Sequence, residues 1–416
     1  MLRFTSSRRR WVALAVPVAL GITATSGYAG ARDVVSSGEG GSLQVMIGSS
    51  GEAETNAVNA AAARFTEATG TAVEVIPAQD LWQQLTQGFA GGDPPDVFYV
   101  DPNHLVQFAD AGSLLAYGDQ LADVDDFFPA LLDSYTIDDQ LYCAPKDYGT
   151  IALVINTDAW TAAGLTEADY PTTWDELAAV SEQLTTGDQV GLVFDGSIHR
   201  VGAFMLQAGG WILNDDQTEA VANSPENAEA LAFLQENIQA GNFQFTRQIE
   251  ARWGGEAFGT GRAAMTIEGP WIAGAIAADY PDVNWTAVEL PAGPAGQGTL
   301  QFSNCWGIAA ASDNQEAAVA LVEHMVNPEE QQMFAEAFGP TPSRQSLADW
   351  FTEQNPELAA FIAGVDYSRG PVSAAGFESV LADFDTQLEA LSAGSASPEE
   401  ILERLQETSE EALTGG

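Results

Sequence analysis

Basic residues are scarce in this 416-residue sequence, which has 14 lysines and arginines against 59 aspartates and glutamates. Lys146 is the only lysine. Nucleic acids and anionic membranes bind proteins through a basic face, so a formal net charge of −45 excludes both as partners. Dispersed carboxylates that keep the surface hydrated explain this charge best. Attraction of a cationic ligand is the alternative, which salt would weaken.

Histidine is also scarce, and the motifs of several common chemistries are missing. His104, His199 and His324 lie far apart and form no paired metal-ligand motif, so we expect neither a metal nor a cofactor. A phosphate-binding loop needs a lysine after glycine, whereas Lys146 follows Pro145. No G-x-S-x-G elbow of a serine hydrolase is present around the Gly/Ser-rich residues 48–51.

No apolar run reaches the roughly 20 residues that span a bilayer. Residues 1–31 hold four arginines and no acid, then an apolar stretch from Trp11, then Ala29-Gly30-Ala31. This pattern predicts a signal peptide, followed by a disordered leader over 32–41 and a mature net charge of −49. The export route, general secretory or twin-arginine, stays open. No cysteine lies near the cleavage point, so the usual lipoprotein anchor is missing, and we expect a periplasmic or extracellular protein associated with the cell envelope. We also expect a monomer.

There are two cysteines, Cys143 and Cys305. In an exported protein an even number of cysteines favours a disulfide bridge, and two buried free thiols are the alternative.

The N-terminal half alternates strand and helix patterns, which predicts a parallel α/β sheet. The C-terminal helix is acidic and has a narrow apolar stripe, Ile401, Leu402 and Leu405, that we expect to pack on a second lobe. Predicted strands cover 43–47, 73–76, 96–100, 151–155 and 264–267. Predicted helices cover 52–69, 82–89, 158–163, 227–238, 315–326 and 398–413, and a further helix starts at Thr173.

Several motifs follow one another along the chain, and the most informative is QLYCAPKDYGTIALVIN at 140–156 with PTTWDEL at 171–177. Their order and spacing resemble those of maltose-binding-like extracellular solute-binding proteins (family 1). The other motifs are FTEATG at 65–70, GGDPPDVFYVD at 91–101, QAGGW at 207–211, GTGRAAMTIEGPW at 259–271, CWGIAAASDNQEAA at 305–318 and TPSR at 341–344.

The resemblance implies an α/β, periplasmic-binding-protein type II-like fold with two lobes, a hinge and a ligand cleft between them. It places residues 42–145 plus 306–340 in lobe 1 and 146–305 plus 341–416 in lobe 2. It also implies that the two inter-lobe crossings lie side by side, and hence a Cys143–Cys305 disulfide. Such a bridge closes a long loop, worth up to about 5 kcal/mol.

The resemblance further implies an ABC importer's substrate-binding subunit, not an enzyme. It would capture a small solute, a mono- or oligosaccharide, by hinge closure and deliver it to permease subunits. A non-sugar solute such as a polyamine and a ligand-sensing module are the alternatives. Glycoside hydrolysis also stays open, because 59 acids guarantee many carboxylate pairs.

Candidate ligand-binding residues follow predicted strands or sit in the crossings, because loops at the carboxyl ends of parallel strands face such a cleft. Trp271, which the resemblance matches to a cleft tryptophan, leads them, since an aromatic plane can contact the C–H face of a sugar. A place in the core is the alternative for each tryptophan, and simple surface exposure for each acid. The other candidates are Glu268, Trp211, Trp306, Glu52, Asp101, Asp147, Tyr148, Gln79 and Arg369.

Overall fold

The computed structural model describes residues 42–49, 51–372, 374 and 376–415. The predicted signal peptide and leader lie outside the described residues. The described residues form one compact unit. Among the helices of the described segments, none has the length and apolarity that crossing a membrane requires.

The described chain alternates short strands and helices. The strands are β1 Leu43–Ile47, β2 Val73–Pro77, β3 Val97–Val100, β4 Thr136–Ile137, β5 Gln140–Leu141, β6 Ala144–Pro145, β7 Asp147–Thr150, β8 Ala152–Asn156, β9 Val190–Phe194, β10 Phe243–Phe245, β11 Ala263–Glu268, β12 Trp285–Val288, β13 Thr299–Phe302, β14 Cys305–Ile308, β15 Thr341–Pro342 and β16 Ser368–Arg369.

The α-helices are α1 Glu52–Thr69, α2 Leu81–Gly91, α3 Pro102–Asp110, α4 Pro129–Ser134, α5 Thr157–Ala162, α6 Trp174–Leu184, α7 Ile198–Ala208, α8 Pro225–Ala240, α9 Gly254–Gly259, α10 Trp271–Asp279, α11 Gln315–Met325, α12 Pro328–Phe338, α13 Ala348–Gln354, α14 Ala359–Ala363, α15 Phe377–Ser392 and α16 Pro398–Leu413. Short 3₁₀ turns connect several of them.

The first lobe is built on a five-stranded sheet in the order β2-β1-β3-β14-β6. Strands β1, β2 and β3 are parallel, as the alternating strand and helix patterns predict, whereas β14 runs antiparallel to both of its neighbours, β3 and β6. Helix α1 packs its apolar face, including Val58 and Phe65, into the core of this sheet.

The second lobe contains another five-stranded sheet in the order β10-β9-β11-β8-β12. Strands β9, β10 and β11 are parallel, and β8 and β12 are antiparallel to their neighbours. Ile401, Leu402 and Leu405 of α16 are buried in the core of this lobe, which confirms the predicted docking of the C-terminal helix. A capping box between Ser397 and Glu400 fixes its start.

Two segments of chain cross between the lobes and lie side by side. Strand β7 follows β6 of the first sheet and precedes β8 of the second, and β13 connects β12 of the second sheet with β14 of the first. These two strands pair antiparallel in a small third sheet of order β15-β7-β13-β16. The two α/β lobes, their joining strands and the periplasmic-binding-protein fold class are therefore as the sequence predicts.

The cysteines form the predicted disulfide. Cys143 precedes β6 and Cys305 opens β14, the strand that pairs with β6. Their Cα atoms lie 5.5 Å apart, across 162 residues of sequence, and both side chains are fully buried. The bridge thus fastens the two crossings to each other at the edge of the first sheet.

Candidate functional site

A cavity of about 590 Å³ opens where the crossings meet the two lobes. The first lobe contributes residues that follow β1 and β3, and the second contributes residues that follow β11 or begin α7. This location at strand ends is where α/β folds place ligands. Its wall includes Glu54, Tyr99, Asp101, Asn103, Lys146, Asp147, Tyr148, His199, Trp271, Gln301, Phe302, Ser303, Asn304, Phe338 and Thr341.

Trp271 presents an aromatic face to this cavity. It begins α10 directly after the Gly269-Pro270 turn that ends β11, and 43% of its surface is exposed. A Cβ added to Gly269 would lie 2.1 Å from the indole ring, so the turn requires glycine beneath the ring. Phe302 of β13 meets the ring edge-to-face at 5.5 Å. The ring is therefore held in place while its surface stays accessible, which suits contact with an apolar ligand face.

Glu268 lies beneath Trp271 and not in the cavity wall. It is 1% exposed, and its Oε2 accepts a hydrogen bond from Trp271 Nε1 at 3.0 Å and from Arg200 Nη2 at 2.6 Å. Arg200 also donates to the carbonyls of Ile267 and His199. A buried ion pair of this kind orients its neighbours, so Glu268 and Arg200 fix the plane of the indole.

A charged cluster lines the cavity where the first lobe meets the crossing. Lys146 Nζ lies 3.2 Å from Glu54 Oε1, pairs with the neighbouring Asp147, and sits 4.7 Å above the ring of Tyr99. Burial acts to lower the pKa of Lys146, but Asp147 and Glu54 outweigh it and raise that pKa. Asp147 Oδ1 also accepts from the backbone N–H of Asn304 at 3.0 Å, which links the two crossings.

Asp101 occupies the cavity wall at the end of β3. It caps α3 by accepting from the N–H of His104 at 2.9 Å, and it contacts the imidazole Nδ1 at 2.8 Å. That imidazole stacks on Trp82 with ring centroids 3.6 Å apart. Its Nε2 lies 3.7 Å from Glu378 of α15, a second-lobe helix. The carboxylate is thus fixed in direction and reaches the cavity from the first lobe.

Tyr148 and His199 complete the wall with little exposed surface. Tyr148 is 3% exposed and its hydroxyl has no hydrogen-bond partner within the described residues. Burial raises its pKa, and the charge of Asp366 adds to that shift. Burial lowers the pKa of His199, as does the nearby Arg200, so this imidazole is neutral at neutral pH.

A second cavity, of about 830 Å³, adjoins the first and shares Pro102 and Pro371 with it. Trp211 and Arg369 belong to its wall. The guanidinium of Arg369 lies 5.2 Å from the Trp211 ring and 3.2 Å from the exposed carboxylate of Asp215. These two candidates therefore sit beside the first cavity and not within it.

Three of the sequence candidates lie outside both cavities. Trp306 is fully buried in β14 and packs under Tyr99, with ring centroids 4.8 Å apart. Glu52 is exposed at the start of α1, and Gln79 is exposed in the turn before α2. The structure thus brings Trp271, Asp101, Asp147 and Tyr148 together around one cavity and leaves these three apart from it.

The sequence reasoning missed Glu54, Tyr99, His199 and Arg200. Glu54 stands on the buried face of α1 at helical spacing from Val58, and an acid on an apolar face was the signal available. Arg200 is the single arginine of the mostly apolar helix α7, which is an equivalent signal. Tyr99 lies within a fully buried strand, and its pattern is that of a core residue.

In the described part of the chain, no group of three or more histidine, cysteine, aspartate or glutamate side chains could hold a metal ion. The cavity offers an aromatic face, fixed carboxylates and amides, a combination that binds through weak contacts and directional hydrogen bonds.

A comparison with protein families decides the class. Residues 60–360 match the family of bacterial extracellular solute-binding proteins. The chain belongs to this family. A binding protein of Brucella abortus (strain 2308) is 24% identical to this solute-binding protein over 341 residues, which cover 79% of this chain and 82% of that protein.

Solved structures share the fold of this solute-binding protein. The cyclic alpha-maltosyl-1,6-maltose binding protein from Arthrobacter globiformis superposes with a TM-score of 0.81 at 23% identity, over 90% of this chain and 99% of that one. UgpB from Mycobacterium tuberculosis, in complex with glycerophosphocholine, superposes with a TM-score of 0.78 at 20% identity, over 90% and 98% of the two chains.

Proposed function

We propose that this protein is the exported substrate-binding subunit of an ABC importer and that it captures a mono- or oligosaccharide. The observation that carries the proposal is the half-exposed Trp271 ring, fixed over a cavity that also holds carboxylates and amides from the other lobe and the crossings. Flat rings contact the C–H faces of a sugar, and polar groups bind its hydroxyls. The Arthrobacter globiformis protein, a sugar binder by name, supports the choice.

Capture proceeds by hinge closure. The lobes, with proposed boundaries at 42–145 plus 306–340 and 146–305 plus 341–416, move about the paired strands β7 and β13. A ligand that contacts both Trp271 and Asp101 stabilises the closed form, because only that form satisfies both contacts. The permease subunits then recognise the closed monomer, in the periplasm or at the outer surface of the cell.

The close approach of the crossing to the second lobe supports this route of coupling. A Cβ added to Gly149 of β7 would lie 2.8 Å from the ring atoms of Pro270, which precedes Trp271. Movement of the crossing is therefore transmitted directly to the turn that carries the indole.

The proposed site residues are Trp271, Asp101, Asp147 and Tyr148, to which we add Glu54, Asn103 and His199. Trp211 and Arg369 are proposed to contact only a ligand long enough to enter the second cavity. Glu268 supports Trp271 without touching the ligand.

A non-sugar solute is the second candidate, favoured by the carboxylates of the cavity wall and by the glycerophosphocholine bound to the Mycobacterium tuberculosis protein. A thermal-shift screen over sugars, polyols and polyamines separates the candidates, because a ligand of the folded state raises the melting temperature. We expect a sugar to give the largest shift and to bind one-to-one by calorimetry. A polyamine as the best ligand would contradict the carbohydrate assignment.

The same preparations test for enzymatic activity, since several carboxylates line the cavity. After incubation with the bound oligosaccharide, chromatography should recover it unchanged. Release of shorter sugars at a catalytic rate would replace capture with glycoside hydrolysis.

A further inference from the structure

The lysine and arginine side chains of the described residues all form ion pairs with carboxylates of the same chain. Five of the 14 lysine and arginine residues precede residue 42. Each of the other nine, all within the described residues, forms an ion pair with an aspartate or glutamate. An anionic ligand would therefore find no unpaired lysine or arginine in this part of the chain.

Lys146 is the lysine of the cavity wall, and it is held more tightly than a single partner would hold it. Glu54 and Asp147 both contact its ammonium group, and its side chain is only 6% exposed. One positive charge thus faces two negative ones, and the cluster keeps a net negative charge beside the cavity. The ring of Tyr99 covers a further side of the ammonium group, with its centroid 4.7 Å from Nζ.

The other positive groups near the cleft are occupied as well. Arg200 donates hydrogen bonds to Glu268 and to the backbone carbonyls of Ile267 and His199. Arg369, in the adjoining cavity, pairs with Asp215 and stacks on Trp211. His199 is neutral at neutral pH, because burial and the charge of Arg200 lower its pKa. The cavity wall also contains Asp101, which carries a further negative charge.

A carboxylate or phosphate that entered this cavity would lose its hydration and meet carboxylates without gaining a cation. An unpaired ion is costly to bury, and like charges across an interface add to that cost. Neutral hydroxyls bring no charge into the cavity, and an ammonium group is compensated for its lost hydration by the opposite charge of the carboxylates. Both can donate hydrogen bonds to these carboxylates.

We infer that the cleft rejects anionic solutes, uronates and sugar phosphates among them, and that the pairing of Lys146 with Glu54 and Asp147 sets this selectivity. The inference rests on the proposed function, since it assigns a charge class to the solute of the same cleft. It narrows that solute to neutral or cationic molecules.

The single lysine of the sequence makes a direct test possible. Labelling with ¹⁵N-lysine places one Nζ signal in the NMR spectrum of the purified protein, that of Lys146. We expect inorganic phosphate, glucuronate and glucose 1-phosphate, each up to about 20 mM, to leave this signal without a saturable shift. A saturable shift with any of the three, with a Kd below about 1 mM, would overturn the inference.

The double variant Glu54→Gln/Asp147→Asn releases the ammonium group from both carboxylates. It should gain a saturable response to at least one of the same anions, at least tenfold tighter than any response of the original protein. The matched control is Glu330→Gln/Asp126→Asn, which removes two carboxylates from the ion pairs of Arg64 and Arg344, outside the cavity. This control should gain no saturable response to any of these anions.

Equal gains in both double variants, or none in the cavity variant, would assign the selectivity to something other than these pairs and overturn that part of the inference. If the double variant does not fold, as judged by circular dichroism, Asp147→Asn alone replaces it with the same expected direction.

These outcomes differ from those that test sugar capture. A uronate or sugar phosphate bound one-to-one with micromolar affinity would support capture and refute the charge selectivity. A polyamine bound in place of every sugar would refute the carbohydrate assignment and agree with the charge selectivity. The lysine signal reports on anions whichever sugar the cleft accepts.

Discussion

The two sides of the cleft each contain a buried ion pair, but they place it differently. On the second-lobe side, Arg200 and Glu268 lie beneath Trp271, so the cavity meets an aromatic ring. On the first-lobe side, Lys146 and Asp147 of the crossing and Glu54 of α1 belong to the wall itself. The same type of interaction therefore orients a contact surface in one place and forms a contact surface in the other.

This difference predicts that the two sides respond differently to mutation. Changes beside Lys146 should alter stability and selectivity together, because the paired charges are both structural and accessible. Changes to the Trp271 ring should alter affinity and leave stability nearly intact, because the buried support remains. Three experiments test this contrast, and a fourth tests a separate second-lobe carboxylate.

The largest effect is expected from removing the disulfide that anchors the charged side. Cys143 lies three residues before Lys146. Cys305 follows Asn304, whose backbone N–H donates a hydrogen bond to Asp147. The variant Cys143→Ala/Cys305→Ala should lose about 4 kcal/mol of unfolding free energy, because the bridge closes a loop of 162 residues. Urea unfolding measures the loss. A loss below about 1 kcal/mol would show that strand pairing alone holds the crossings.

The next effect is expected from Lys146→Met, which leaves Glu54 and Asp147 without their cation. Breaking a buried pair in this way should cost about 3 kcal/mol, because uncompensated charge stays buried. Adding Glu54→Gln should recover part of the loss. The control is Arg404→Met, whose pair with Asp383 is exposed and worth at most about 1 kcal/mol. Equal losses of unfolding free energy in Lys146→Met and Arg404→Met would show that the ion pair of the cavity wall is worth no more than an exposed one.

A smaller effect, and on affinity alone, is expected from Trp271→Ala. Loss of the ring should weaken binding of the sugar found by the screen by about 2 kcal/mol, or about 30-fold. The melting temperature should change little, since the ring is 43% exposed. Trp271→Phe keeps an aromatic face, so its affinity measured by calorimetry should lie between those of the original protein and of Trp271→Ala. Unchanged affinity in Trp271→Ala would move the sugar site away from this ring.

The sequence predicted the fold well because periodicity and motif order report on it directly. The predicted bounds of β1, α1 and α16 agree with the structure residue for residue, and most others agree within two residues. The family resemblance implies the disulfide, because it places one cysteine in each of two adjacent crossings. The lobe boundaries stay a prediction.

The site was harder to predict because depth and direction are properties of the assembled sheet. Trp306 and Trp271 both belong to recognisable motifs, yet one is fully buried and the other is 43% exposed. Glu52 and Glu54 share a helical turn, and the one that reaches the cavity is the one on the packed face. Sequence spacing identified the segments near the cleft, while packing selected the side chains that line it.

The smallest effect concerns a second-lobe carboxylate behind the cleft, Asp385 of α15, whose Oδ1 accepts from the N–H of Ile198 at 2.7 Å. Burial, with repulsion from Asp195, raises its pKa from 3.8 to about 6. Because the folded-state pKa is the higher one, the stabilisation from protonation is complete below about pH 4 and is lost as the pH rises through 6.

The variant Asp385→Asn keeps an oxygen acceptor for Ile198 and removes the charge. It should therefore raise stability at pH 7.5 by about 1 kcal/mol, discounted for partial solvent screening, and change little at pH 4. Thermal unfolding at both pH values measures this. Asp383→Asn is the control of opposite sign, because a hydrogen bond from Arg404 lowers the pKa of Asp383, and its loss should destabilise the protein at pH 7.5. If both variants shift the melting temperature in the same direction, the carboxylate behind α7 does not carry the pH dependence assigned to it.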